Sequence, residues 1–429
     1  MRFDMLHPAD QIVMIMERVY QYGMTTTSGG NLSIKDENGD IWISPAGVDK
    51  GSLRRDDVVC VKKDGSVVGH HRPSSEFPFH KTIYERRPDL GAILHAHPPA
   101  LVAFSIVRKI PLTTLIPNVQ LVCGPVAMAP YAVPGSQELG ENIAAVFEKG
   151  INTVLLENHG IVVGAADLFR AFMAFETLDF CARLEISARR IGIPRALTQQ
   201  QIDVSYRKQA VSMEEFDPLG ITSEERAARR DMCTLIHRSY DQGLFSSTQG
   251  TFSQRLEKND FIITPYGKDR KYLEPEDLVR IQNGKKEKGK TPSRSVLLHQ
   301  RIYELHPHIN SIIIAHPPSV MVFAITEARF NSRTIPESYI LLRTIPTVPF
   351  GSTFMDQEKV ARSFSKKTPI VMVENDCIIV TGSTLLNAFD RLEVAEYSAK
   401  ALIAASELGE VVAINDAQVA ELEAAFHLD

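Results

Sequence analysis

Several features that would place the chain in a specialised class are missing. Its five cysteines, Cys60, Cys123, Cys181, Cys233 and Cys377, are odd in number, scattered and never spaced as CxxC. That excludes a disulfide framework and a thiolate zinc site, and it points to a reducing compartment. No apolar run reaches the roughly 18 residues a membrane helix requires. The first residues, Met1-Arg2-Phe3-Asp4, pass into an amphipathic pattern (Ile12, Val13, Ile15, Met16, Val19, Tyr20) with no apolar signal-peptide core. A cytoplasmic protein with no membrane partner is expected. Positive charge is not in excess either: 47 Lys and Arg stand against 52 Asp and Glu, a formal net charge of -5. A nucleic-acid partner held by bulk electrostatics is therefore not expected, although a few donors can still hold one phosphate. Neither GxxxxGK[ST] nor GxGxxG occurs, so nucleotide binding has no motif support.

What remains is an ordinary globular composition, 44% hydrophobic and 23% charged over 429 residues, long enough for two or three domains. The domains are one pattern written twice, with a period of roughly 220 residues. SGGNLS (28–33) aligns with TQGTFS (248–253), and Pro45 and Gly47 fall on Pro265 and Gly267. PSSEFPFHKTIY (73–84) aligns with PSRSVLLHQRIY (292–303), so His80 falls on His299 and Tyr84 on Tyr303. HAHP (95–98) aligns with IAHP (314–317), and NHG (158–160) with NDC (375–377). The expected division is a first domain at 1–205, an exposed polar linker at 206–221 and a second domain at 222–429. In the first copy the pattern predicts helices at 8–22, 76–87, 136–149 and 166–190. Strands are predicted around 31–35, 40–44, 57–61 and 92–97, with two more inside 151–164 meeting at Asn158-His159-Gly160. Such a mixture makes each half α/β or α+β.

Three groups of residues can carry chemistry. In His95-Ala96-His97 the two histidines stand at i and i+2 of a strand, so both imidazoles can face one ion; the competing reading is a polar sheet face. His159 tips the balance, because a bulky polar side chain in a tight turn between apolar strands has no packing reason. Three histidines and an acid are the donor set of a catalytic zinc or similar divalent ion with an open position. Ser74-Ser75-Glu76 enters a helix, where it makes either an anion site or a plain cap. The glycine-bearing turns 28–31 and 45–47 read as a phosphate nest or as ordinary turns.

Taken together and in order, GGNLS (29–33), SPAG (44–47), PSSE (73–76), HAHP (95–98) and NHG (158–160) resemble the class II aldolase/adducin family over most of residues 8–190. The resemblance implies two tandem three-layer α/β/α domains, each with a largely antiparallel central sheet. It implies a divalent zinc held by His95, His97 and His159, with Glu76 as ligand or acid/base, and a phosphate cradle at Asn31, Gly47, Ser74 and Ser75. The implied function is aldol-type cleavage of a small sugar phosphate, or a related hydroxy-carbonyl compound, through an enediolate. Epimerisation or dehydration on the same scaffold, and an adducin-like scaffold without chemistry, are the alternatives. Family members are commonly four-fold tetramers of single domains, so two duplicated chains are expected to form a homodimer that is a pseudo-tetramer of domains.

The first copy departs from the family pattern twice. Ala46 stands where a hydroxyl is usual, which suits a smaller anion such as a carboxylate. The segment Ile110–Leu115 lacks the tyrosine that serves aldolases as proton donor. In the second copy Glu76, His95, His159 and Asn31 are answered by Ser295, Ile314, Asp376 and Thr251. That copy is expected to be catalytically silent, with Tyr339 from its tyrosine loop completing the first copy's site.

Overall fold

The first helix forms because Ile12, Ile15, Met16 and Val19 recur at helical spacing, and all four are fully buried. Each contributes roughly 1.5–3 kcal/mol relative to exposure. Pro8 opens the helix, and His7 Nδ1 accepts from the Ala9 amide at 3.2 Å. The computed structural model describes residues 3–206, 211–257 and 260–428. Residues 207–210 of the expected linker lie outside them.

The first-copy elements run α1 (Pro8–Gln21), β1 (Asn31–Lys35), β2 (Ile41–Ile43), β3 (Val59–Val61), β4 (Val67–Val68), α2 (Phe77–Arg86) and β5 (Ala92–Ala96). They continue with α3 (Pro99–Ile106), α4 (Pro117–Cys123), β6 (Val126–Ala129), α5 (Gln137–Phe147), β7 (Thr153–Leu156), β8 (Ile161–Ala165) and α6 (Leu168–Ala188). Every element read from the sequence of this half is present, within a few residues at the ends. The unforeseen ones are α3, whose uniformly apolar run has no helical period, α4, and the short strands β4 and β6.

The chain divides into two compact units, Arg2–Thr113 with Asn118–Arg183, and Thr114–Pro117 with Leu184–Asp429. In the first, eight strands form one sheet in the order β4-β3-β2-β1-β5-β8-β7-β6. Strand alternation puts Ile93 and His95 of β5 on one face. There α2 and α5 cover a core that includes Phe79, Ile83, Ile93, Ile143, Phe147, Val154 and Val162. The other face carries α1 against β1 and β2, with the Arg18 guanidinium 4.4 Å from the Phe172 ring centroid of α6. Helix, sheet and helix make three layers.

The second unit holds a nine-stranded sheet whose central strands repeat that order and register. Thr251 pairs with Ile314 where Asn31 pairs with His95 in the first copy. Its ninth strand, Glu215–Phe216, comes from the stretch expected as linker and adds in parallel to Lys285–Glu287 at the sheet edge. Both sheets are mixed: β6 runs parallel to β7, and Thr347–Val348 parallel to Ile370–Val373, while the pairs between are antiparallel. No helix among the described residues is long and apolar enough to cross a membrane.

Candidate metal centre

Three elements deliver the histidines. His95 is the fourth residue of β5, fixed on both sides by pairing with Asn31 of β1 and Val162 of β8. His97 follows one residue past the strand. His159 sits in the β7–β8 turn, where Asn158 takes a left-handed φ of 54° and the Leu156 amide donates to the Gly160 carbonyl at 2.8 Å. Gly160 is required by space: a Cβ there would lie 2.6 Å from the Ala96 carbonyl oxygen and 2.6 Å from His97 Cδ2. One ring nitrogen from each of His95, His97 and His159 lies within 4.8 Å of the others. The ring centroids are 4.6, 4.9 and 5.0 Å apart.

The arrangement has the electronic character of a ligand set. His95 Nδ1 lies 2.9 Å from the Ile161 carbonyl, which can only accept. Nδ1 therefore carries a proton, and Nε2 is the nitrogen that faces inward. Burial, reinforced by neighbouring histidines, pushes His97 down to about 3 and His159 to about 4, so both rings are neutral at neutral pH. Glu76 completes the group: Oε2 is 3.2 Å from His95 Nε2, and Oε1 is 3.6 Å from His159 Nε2. Burial opposes its ionisation, but His95, Asn31 and His159 outweigh burial and hold the carboxyl well below the usual range. Glu76 Oε1, His95 Nε2, His97 Nε2 and His159 Nδ1 are buried without a hydrogen-bond partner. Lone pairs and a carboxylate converging in a buried space repel one another unless a cation lies among them. The donor set fits a divalent ion.

The other expected site residues gather beside this group. Asn31 Nδ2 donates to Glu76 Oε2 at 2.7 Å. The turn carrying Gly47, at φ 69°, lies against the Ser74-Ser75 segment through a Pro45–Pro73 bridge and the Ser74 amide to Ser44 carbonyl bond of 3.2 Å. Lys50 ties that turn from beneath, donating from Nζ to the Pro45 carbonyl. The helix cap is Glu76, without a side-chain cap bond; Ser74 Oγ accepts the Glu76 amide at 3.3 Å and Ser75 is exposed.

A family model described as Class II Aldolase and Adducin N-terminal domain matches residues 10–186 and again residues 230–403. The chain belongs to that family. Two matches in one chain make it a tandem class II aldolase-type protein. It is 34% identical over 204 residues to the 5-deoxy-D-ribulose 1-phosphate aldolase of Bacillus thuringiensis serovar kurstaki, covering 45% of this chain and 91% of that protein. It is also 34% identical over 172 residues to an L-fuculose phosphate aldolase of Methanococcus maripaludis, covering 40% of this chain and 92% of that protein. A 3-oxo-tetronate 4-phosphate decarboxylase of Haemophilus influenzae is 29% identical over 177 residues, covering 40% and 84%.

In the second class II aldolase-type copy the equivalent positions have other uses. Thr251 Oγ1 pairs with Ser293 Oγ at 2.8 Å, and Ser293 Oγ with Ser295 Oγ at 3.0 Å. Asp376 Oδ2 accepts from Thr353 Oγ1 at 3.0 Å, and Asn375 Nδ2 donates to the Leu115 and Arg195 carbonyls within the same unit. Tyr339 lies on the helix Pro336–Leu342 of that unit, its hydroxyl donating to Glu423 Oε1 at 2.7 Å. The sequence reading gave no role to Ser33, His80 and Tyr84, which are buried behind Asn31. The signal was available: His80 stands four residues after Glu76, one helical turn on, and recurs with Tyr84 in the repeat.

Proposed function

We propose that this protein is a metal-dependent lyase that cleaves a small sugar phosphate, or a related hydroxy-carbonyl compound, through an enediolate. The observation that carries this reading is the convergence of three histidines and one ionised carboxylate with unpartnered buried atoms. His95, His97 and His159 would hold the ion, which we take to be zinc. Once bound, it supplies Lewis acidity for charge developing on the substrate oxygens. Glu76, with Oε1 uncommitted, takes and returns the proton. Asn31, Gly47, Ser74 and Ser75 hold the phosphate, whose binding energy orients the carbonyl end. Tyr339 enters the proposal as a proton donor, and Tyr339→Phe with unchanged turnover removes it. Residues 1–205 carry the chemistry, 206–221 join the copies, and 222–429 are a structural or regulatory partner without metal. The proposal takes the cytoplasm as compartment, supported by five buried cysteines that form no disulfide, and a homodimer as assembly.

The names of the Bacillus and Methanococcus relatives support aldol cleavage. A second reading has support from the Haemophilus relative: decarboxylation beside a ketone leaves the same enediolate and needs the same residues. The test is a panel of ketose phosphates and 3-keto-acid phosphates assayed with zinc, manganese and cobalt, together with metal analysis. Turnover with near-stoichiometric metal, both lost in His95→Ala, supports the lyase. No bound or rebindable metal favours the scaffold reading.

A further inference from the structure

Behind Glu76 runs a line of buried polar side chains whose proton positions are determined from Asn31 back to Ser33. Asn31 Nδ2, which can only donate, gives an N–H to Glu76 Oε2 at 2.7 Å. The Asn31 Oδ1 then faces His80 Nε2 in a close contact, so that nitrogen must carry the ring proton. His80 Nδ1 is left as an acceptor and takes the Ser33 hydroxyl proton at 2.7 Å. Tyr84 Oη lies 2.9 Å from Ser33 Oγ and 3.2 Å from the Ser33 carbonyl, and its proton can go to either. From Ser33 through His80 and Asn31 each bond points toward the carboxylate, and each polarises the next.

The second copy separates two roles within the series. Ser253 Oγ lies 2.7 Å from His299 Nδ1 and 2.7 Å from Tyr303 Oη, so the serine–histidine–tyrosine tie between strand and helix is retained without a metal site. Asn31 and Glu76 are replaced there by Thr251 and Ser295, and His299 Nε2 has no hydrogen-bond partner among the described residues. The tie therefore needs only Nδ1. A bond from Nε2 exists only in the copy that has Glu76.

We propose that His80 is a positioning residue: its Nε2–H fixes the orientation of the Asn31 amide, which aims an N–H at Glu76 and holds that carboxylate against His95 and His159. The inference deepens the lyase reading and rests on it for its kinetic arm.

Two substitutions divide the ring's functions. His80→Asn places an amide near the Nδ1 position and removes the distal donor, whereas His80→Gln carries its amide nitrogen out to the Nε2 position. Supporting groups of this kind are worth roughly 10–100-fold in activity. The expected result is a kcat lower by about that factor in His80→Asn, with KM and metal content little changed, and recovery of most of the loss in His80→Gln. Wild-type kcat in a folded His80→Asn, or equal losses in both variants tracking a fall in Tm, would overturn the proposal. Nitrogen-15 correlation spectra of histidine-labelled, unsubstituted protein test it without turnover or a variant. A neutral Nε2–H tautomer at His80 supports the series, and an Nδ1–H tautomer overturns it. If the unsubstituted chain turns over no ketose or keto-acid phosphate, the lyase reading fails, while the tautomer still decides for or against the relay.

Discussion

A single buried carbonyl decides what His95 can do. Because the Ile161 oxygen claims Nδ1–H at 2.9 Å, Nε2 is the nitrogen left to face a ligand. His95→Ala removes that donor from a set of three, and three protein ligands are the minimum of a catalytic site. Metal content measured by plasma emission should fall from about one equivalent to a small fraction of that, and turnover by roughly 10³-fold or more, the worth of several kcal/mol of charge stabilisation. Glu76→Gln acts differently, because it keeps the shape but cannot take up a proton. It should retain the metal and lose roughly 10²–10⁴-fold in kcat. Loss of metal without loss of turnover on reloading would refute the assigned role. The identities of His95, His97, His159 and Glu76 were legible from motif order. The neutrality of the His97 and His159 rings was not, because it follows from burial that only packing creates.

The turns and helices supply the tolerances. Gly160 lets the β7–β8 turn pass beside His97, and Gly160→Ala would put a Cβ 2.6 Å from both the Ala96 oxygen and the His97 ring. Overpacking of that kind costs about 1–3 kcal/mol. Urea denaturation should show that loss together with weaker metal retention, whereas an unchanged midpoint would mean the turn relaxes freely. In the second unit, burial on the helix Val296–Leu305 pushes His299 down to about 3. The folded state therefore disfavours the protonated ring. The neutral ring's contribution is complete above pH 6.5, the unfolded value, and is lost as pH falls toward 3. The urea midpoint should drop over that window, and less steeply in His299→Asn, which keeps an acceptor toward Ser253. Parallel pH profiles would place the acid sensitivity elsewhere.

Across the molecule, one backbone pattern carries two side-chain sets. Thr251 stands opposite Ile314 as Asn31 stands opposite His95, and His316 retains the place of His97. The difference between the copies is therefore a matter of side chains on a preserved register. Ser295→Glu, Ile314→His and Asp376→His combined should give the chain a second equivalent of bound zinc, titrated against a chelating dye. A stoichiometry that stays at one would show that surrounding packing, and not ligand identity, has been lost. The repeat itself was legible because strand pairing and turn chemistry constrain the same positions twice. The short edge strands were not. A two-residue strand such as Glu215–Phe216 carries no alternation and exists only because Lys285–Glu287 offers it an edge.

Sequence alone determined that the chain is a duplication, that one copy keeps a three-histidine set with an acid, and that the other has lost it. These are matters of residue identity and spacing, which need no coordinates. Tertiary structure decided which nitrogen of His95 faces inward, that Glu76 is ionised with an oxygen to spare, and that a line of buried polar side chains runs from Asn31 back to Tyr84. Those features depend on contacts between β1, α2, β5 and β8, elements distant in the chain. Protonation and hydrogen-bond direction are set by what lies across the contact, and a linear sequence does not record that.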